Sequence, residues 1–434
     1  MGESIKTEQL DIYRTSRLFY VFEAAVEYFL SIFVGGTYLA KMTMAIGISD
    51  SLTGIISAFV SLGFGFQIFA LLLARKRPFK PFIITMNLLT QFAFSFLYVI
   101  PVLNIKTTAK TVIFICFFLF AEVIKNIVYS PKTAWLMGVV DDSKRGIFTA
   151  KKESFSLLSG IVVSVTMGNL IDHLEAAGNQ RGVFILGGIT MFFLAVMHTT
   201  LLLLIKEKPE RVADESLMPC IHKSVTDKKL LVLIPLFAFW NIATYSTVPF
   251  YGTYQLNDLG MNMTTVTLIA AIGSIVRAVV STPIGKIADK YSFIKSLNIC
   301  FVLALVAHAA NIFAGVVFYT FYVILQAAAM AGINSGIVNL VYDFVPKENR
   351  TGALAVKNTL VGFAGFFTTL VASLLVEYIQ GNENKFLFFE SVYAQQVLSA
   401  FSVVMITICI VYLNLVVKRA KPERLVEVYE SMER

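Results

Sequence analysis

Glu23 and Glu27 stand four residues apart, so on a helix both carboxylates project from one face, with Tyr20 and Ser31 on the same stripe. Glu122, Lys125, Asn126 and Tyr129 repeat that one-face spacing later in the chain. A carboxylate and an ammonium one turn apart can pair, and a carboxylate left without a counter-ion in apolar surroundings can take up and release a proton. Arg277 is a third isolated charge. Counted together, Glu23, Glu27 and Glu122 face Lys125 and Arg277, which leaves one acid without a partner and suited to proton exchange.

The sequence around these charges is apolar. The 434 residues are 57% hydrophobic and 15% charged, with a mean hydropathy of +0.73, where soluble domains are about 45–50% apolar and about 25% charged. A soluble enzyme of this length needs more polar surface than that. One membrane span takes about 20 apolar residues. Runs of that kind fall at 17–40, 50–74, 79–101, 111–133, 146–171, 182–205, 230–255, 263–284, 296–314, 317–343, 352–378 and 391–417. The expectation is an all-α membrane protein of twelve spans. It divides into a segment 1–16, a six-helix bundle 17–205, a polar linker 206–229, a second six-helix bundle 230–417 and a tail 418–434. Glu27 then lies about 15 Å deep, near the midplane. A charge at that depth costs about 2.5–3.5 kcal/mol by insertion scales, so such residues usually face a cavity and carry function.

Charge distribution sets the orientation. Of 36 Lys and Arg residues, 28 fall on alternate connecting segments, Lys132 counted among them, and only Lys41, Lys106, Lys110, Arg181 and Lys385 fall on the others. Positive residues stay on the cytoplasmic side, so both termini are expected there. The net charge of +8 is thereby accounted for without a nucleic-acid partner. Cys116, Cys220, Cys300 and Cys409 have neither disulfide nor zinc spacing. No phosphate loop, dinucleotide fingerprint, HExxH or nucleophile elbow is present, so no enzyme chemistry, metal or cofactor is expected.

The two halves repeat. Val140, Arg145, Ala150 and Lys152 recur as Val345, Arg350, Ala355 and Lys357 at one constant offset, as in a duplicated six-helix transporter. After the eighth span the chain reads Gly285-x-x-x-Asp289-Lys290, with Lys295 beyond. At these residues the sequence resembles the major facilitator superfamily over essentially its whole length. The resemblance implies that spans 1, 4, 7 and 10 line a central cavity, with the halves rocking around a midplane site. Gly285, Asp289 and Lys290, with Arg145 and Arg350, would then hold the cytoplasmic side closed. The first-half copy of the loop is degenerate, with Ala70 and Ala74 in place of Gly and Asp.

From their depth and charge count, Glu23, Glu27, Glu122, Lys125 and Arg277 are the expected proton-coupling group, with Glu27 or Glu122 exchanging the proton and Lys125 or Arg277 competing for it. Asn126, Tyr129, Trp240, Asn241, Tyr245 and Asn334 are the candidate solute contacts, neutral donors beside aromatic rings that suit a sugar-like or other polar metabolite. Pro249 with Gly252 marks a helix break. His198 and His308 fall in spans 6 and 9, which the superfamily places at the periphery, where packing is expected. The expected function is proton-coupled symport of a small polar solute, with sodium as the other candidate ion. Efflux of amphipathic compounds and solute sensing without transport are the competing readings. The expected setting is a cell membrane, of the bacterial inner-membrane kind, with the lipid bilayer and a small solute as partners and the protein as a monomer.

Overall fold

The computed structural model describes residues 13–73, 79–140, 145–207, 226–346, 350–387, 389 and 391–420. They are helical almost throughout. The helices are α1 (Arg14–Phe33), α2 (Gly36–Ile46), α3 (Asp50–Ser57), α4 (Phe59–Leu73), α5 (Phe79–Leu97), α6 (Thr107–Gly138), α7 (Arg145–Ala176), α8 (Gln180–Leu204), α9 (Lys228–Tyr245), α10 (Met263–Lys290), α11 (Phe293–Ala310), α12 (Val316–Phe344), α13 (Arg350–Gly381) and α14 (Ala394–Tyr412). Among the described residues, eleven stretches are long and apolar enough to cross a bilayer. Residues 50–74, expected as one span, form two helices, α3 and α4, that meet at Ala58. The stretch after α9 breaks at Pro249 into a 3-10 turn, a short helical turn and a π-helical turn ending at Asp258, because proline lacks the N–H that an α-helix needs there.

Apolar side chains are exposed along the helices as well as buried. Ile185, Ile189, Phe192, Phe193, Val196 and Leu203 on α8 are all exposed, an apolar surface that water would not tolerate and lipid does. The chain forms two compact units. The first holds residues up to Ile48, Phe66–Asp214 and Asn262–Thr267; the second holds Ser49–Gly65, Glu215–Met261 and the rest from Leu268.

In the first unit α1 packs against α7 and α8, and α5 against α6 and α8. Tyr20, Ile83, Val128, Trp135, Leu136 and Leu202 form an apolar core there. The first turn of α10 belongs to this unit because Asp172 at the end of α7 accepts from the backbone N–H groups of Met263 and Thr264 at 2.9 and 2.7 Å. One turn earlier, Gly168 lets the chains touch: a Cβ there would lie 2.6 Å from Thr267 Oγ1 and 3.0 Å from the Met263 carbonyl oxygen. In the second unit α9 lies against α13 and α14, α11 against α12 and α14, and α3 against α13. Its core runs through Leu233, Phe237, Trp240, Leu297, Phe301 and Ile333. At Gly54 on α3 a Cβ would overlap the Phe250 ring at 2.0 Å, so the missing side chain sets that approach.

Candidate functional site

The polar centre of the first unit is built from four helices. On α1, Glu23 and Glu27 project one turn apart, as their spacing requires. Between them sits Lys132 of α6: its Nζ lies 3.2 Å from Glu23 Oε1 and also donates to Glu27 Oε1. From α8, His198 Nε2 lies 2.9 Å from the same Glu23 oxygen. From α5, Gln91 Nε2 faces His198 Nδ1 at 3.4 Å. Glu23, Lys132 and His198 are buried, whereas the Glu27 side chain is 37% exposed. The cluster therefore opens to the surface at Glu27 and is closed at His198.

A second pair lies higher on α6. Lys125 Nζ donates to both oxygens of Glu122 at 2.8 and 3.1 Å. Asn126 Nδ2 donates to the Glu122 carbonyl at 2.9 Å, and Gln67 Nε2 to Asn126 Oδ1 at 3.4 Å. Glu122 is buried, while the Lys125 side chain is 35% exposed and also sits 5.7 Å from the Phe94 ring centroid. Tyr129, one turn on, is exposed. Lys152 of α7 lies over the Tyr20 ring at 4.7 Å and bonds its hydroxyl at 3.3 Å.

Taken together, Glu23, Glu27 and Glu122 lie beside Lys125 and Lys132, with the His198 ring on Glu23. The sequence reading set these acids against Lys125 and Arg277, so one of the two cations differs. Lys132, placed by the sequence reading in a cytoplasmic segment, is a buried member of the cluster. Arg277 lies in the second unit and makes no ion pair among the described residues. The packing role expected of His198 is likewise corrected, since its ring is a hydrogen-bonded part of the charge cluster. The donor atoms of Glu23, Glu27 and His198 lie within 4.8 Å of one another, close enough to surround a metal ion. Lys132 already supplies a cation at that point.

Two signals in the sequence point to the missed residues. The stripe Glu122, Lys125, Tyr129 reaches Lys132 if carried one more turn, inside the expected span 111–133. The helix continues through Pro131 to Gly138. His198 is an ionisable residue in mid-span, which by itself marks a candidate.

The remaining expected residues are spread out. In the second unit Trp240 is buried in the core with its ring 5.4 Å from Phe301. Asn241 donates to the Phe237 carbonyl one turn back at 3.1 Å. Tyr245 is half-buried, its carbonyl accepting from Thr369. Asn334 is exposed on α12. Gly285, Asp289 and Lys290 are exposed at the end of α10, and a Cβ at Gly285 would meet nothing within 4 Å. Lys290 lies over the Tyr291 ring at 5.3 Å. Arg145 and Arg350 begin α7 and α13, and their side chains lie outside the described residues.

Residues 242–429 match the family described as Major Facilitator Superfamily. No curated protein matches in sequence. Among solved structures, the nucleoside transporter NupG is similar at 12% identity over 92% of this chain and 98% of that one, with a TM-score of 0.65. The D-xylose-proton symporter is similar at 13% identity over 92% and 97%, with a TM-score of 0.66. A bacterial homologue of the human lysosomal transporter Spinster, inward-facing and unoccupied, is similar at 12% identity over 95% and 99%, with a TM-score of 0.68. The family match thus covers the second half of the chain, and the fold over the whole chain is that of these solved transporters.

Proposed function

We propose that the protein is a secondary active transporter that moves a small polar solute by alternating access, coupled to protons in symport. Lys132 carries the reading: one buried ammonium serves two carboxylates, and one of them, Glu27, reaches the surface. With one acid in surplus, a proton arriving at Glu27 neutralises the cluster and releases Lys132 to Glu23 alone. That change in pairing is what a proton would use to bias one state over another. The candidate solute contacts are Asn126 and Tyr129, with the exposed part of Lys125, in the first unit, and Asn241, Tyr245 and Asn334 in the second. The relatives named for a nucleoside and for D-xylose support a polyhydroxylated solute.

Counting α3 and α4 as the second span gives twelve, which puts both termini on the cytoplasmic face as the positive charges require. Gly285, Asp289 and Lys290, with Arg145 and Arg350, hold that face closed, and the monomer sits in a cell membrane. The test is uptake into proteoliposomes under an imposed proton gradient, with nucleosides and D-xylose as the trial solutes. The gradient should drive accumulation in the native protein and fail to drive it in Glu27→Gln, while exchange of solute across the membrane persists. Accumulation by Glu27→Gln equal to that of the native protein contradicts the reading.

A further inference from the structure

Lys357 on α13 is the second half's counterpart of Lys152 on α7. In both halves the lysine lies over a ring of that half's first helix: Lys152 is 4.7 Å from the centroid of Tyr20 on α1, and Lys357 is 5.6 Å from that of Phe237 on α9. The two rings differ by one hydroxyl. Tyr20 gives Lys152 an oxygen at 3.3 Å, whereas Phe237 has none to give. We propose that Lys357 binds an anionic group of the transported solute, a carboxylate or a phosphate, so that the solute is an acidic derivative of a sugar or nucleoside and not the neutral parent. The inference deepens the transport reading and rests on it.

In the first unit each of these ammonium groups has an oxygen: Lys125 at Glu122, Lys132 between Glu23 and Glu27, and Lys152 at Tyr20. In the second unit Lys357 makes no ion pair and no side-chain hydrogen bond among the described residues, and Arg277 makes no ion pair. An ionisable residue inside a span usually finds a partner in the protein, because lipid supplies none. The contact with the Phe237 ring offsets only part of the cost of holding a charge there. The missing partner is then supplied by what the site binds. An ammonium is a compact charge with three donors, which suits a carboxylate or phosphate oxygen.

The side chain does not take the usual route of a lysine to water. Long basic side chains near a helix end follow their own helix out to the interface. Lys357 stands seven residues into α13, about 10 Å from its start. Phe237 stands nine residues into α9, and α9 packs against α13, so the ammonium crosses to the neighbouring helix instead of turning back to the end of its own. Lys357 is half-buried, which leaves the ammonium within reach of a ligand, while the Phe237 ring beneath it is fully buried. One turn beyond Phe237, Asn241 donates its amide N–H to the Phe237 carbonyl and keeps its side-chain oxygen for a solute hydroxyl. A cation and a neutral acceptor one turn apart suit a solute that carries both an acid and hydroxyl groups.

The test measures the heat stability of the full chain in detergent with matched pairs of compounds at one ionic strength: D-glucose against D-glucuronate, and uridine against uridine monophosphate. At least one acid should stabilise the native protein at a concentration about tenfold or more below that of its neutral parent, the size of a charge-assisted hydrogen bond. Lys357→Gln should bring that acid to the level of its parent, and Lys357→Arg, which keeps the charge, should keep the preference. Equal stabilisation by acid and parent, or a preference that survives Lys357→Gln, overturns the proposal. Phosphatidylglycerol against phosphatidylcholine separates solute from lipid: if phosphatidylglycerol stabilises only chains that carry Lys357 and neither soluble acid does, the ammonium holds a lipid headgroup and the proposal fails. Proton-driven uptake by Glu27→Gln tests the underlying reading separately. Loss of uptake in that variant, with no preference for acids in the native protein, overturns only the assignment of Lys357; acid binding through Lys357 without gradient-driven uptake by the native protein overturns only the transport reading.

Discussion

Lys132 and Glu23, 109 residues apart in the chain, meet at 3.2 Å in the buried centre of the first unit. That pair ties the middle of α1 to the last third of α6, and both side chains are out of contact with solvent. Burying an ion pair yields little net stability, but breaking one leaves a bare charge.

Lys132→Met is therefore expected to lower stability by about 3–5 kcal/mol, because Glu23 and Glu27 then repel each other without a shared cation. The double variant Lys132→Met with Glu23→Gln should recover a large part of that loss. Thermal unfolding of the two variants in detergent checks this. Additive losses would mean that the two side chains do not depend on each other.

The Glu122 pair should behave differently. Lys125 is partly exposed, so Glu122→Gln leaves its ammonium free to turn to water, and the expected loss is below about 1 kcal/mol. Removing Lys125 instead strands a buried carboxylate, and Lys125→Ala should cost more than Glu122→Gln. Equal losses in the two unfolding curves would contradict the placement of these groups.

Trp240 and Asn334 separate packing from recognition. Trp240 is buried against Phe301, so Trp240→Ala should cost about 3–5 kcal/mol through the cavity it leaves. Asn334 is exposed, and Asn334→Ala should leave the unfolding temperature within a degree or two while weakening solute binding several-fold. A loss of stability in Asn334→Ala with unchanged solute binding would reverse the two assignments.

Asp172 fastens the first turn of α10 through two backbone N–H groups. Asp172→Ala should cost about 1 kcal/mol, the size of a lost helix cap. Gly168→Val should cost more, since its side chain would press on the Met263 backbone. The readout is again thermal unfolding, and a neutral Gly168→Val would show that the close approach is not needed.

The fold was largely legible in the sequence because the bilayer imposes a length and a composition on every span, and eleven expected stretches reappear as long apolar helices. The exception, 50–74, breaks at Ala58, where no proline or charge announces it. The site was legible where it followed helical spacing within one helix, as for Glu23 with Glu27 and Glu122 with Lys125. It was illegible where partners come from different helices. Nothing in the sequence near Lys132 says that α1 will lie beside it. His198 reaches Glu23 from 175 residues away, a contact set only by the packing of α8 on α1. Arg277 carried the right charge count but sits in the other unit.

The central claim is that Glu27 takes up one proton in step with the solute. Nucleosides and sugars are first ranked by how much they stabilise the purified protein to heat, and the strongest is then added to proteoliposomes that contain a trapped pH dye. The account predicts acidification of the lumen on solute entry in the native protein, and solute entry without acidification in Glu27→Gln. Solute entry with the same acidification in both, or with none in the native protein, would contradict it.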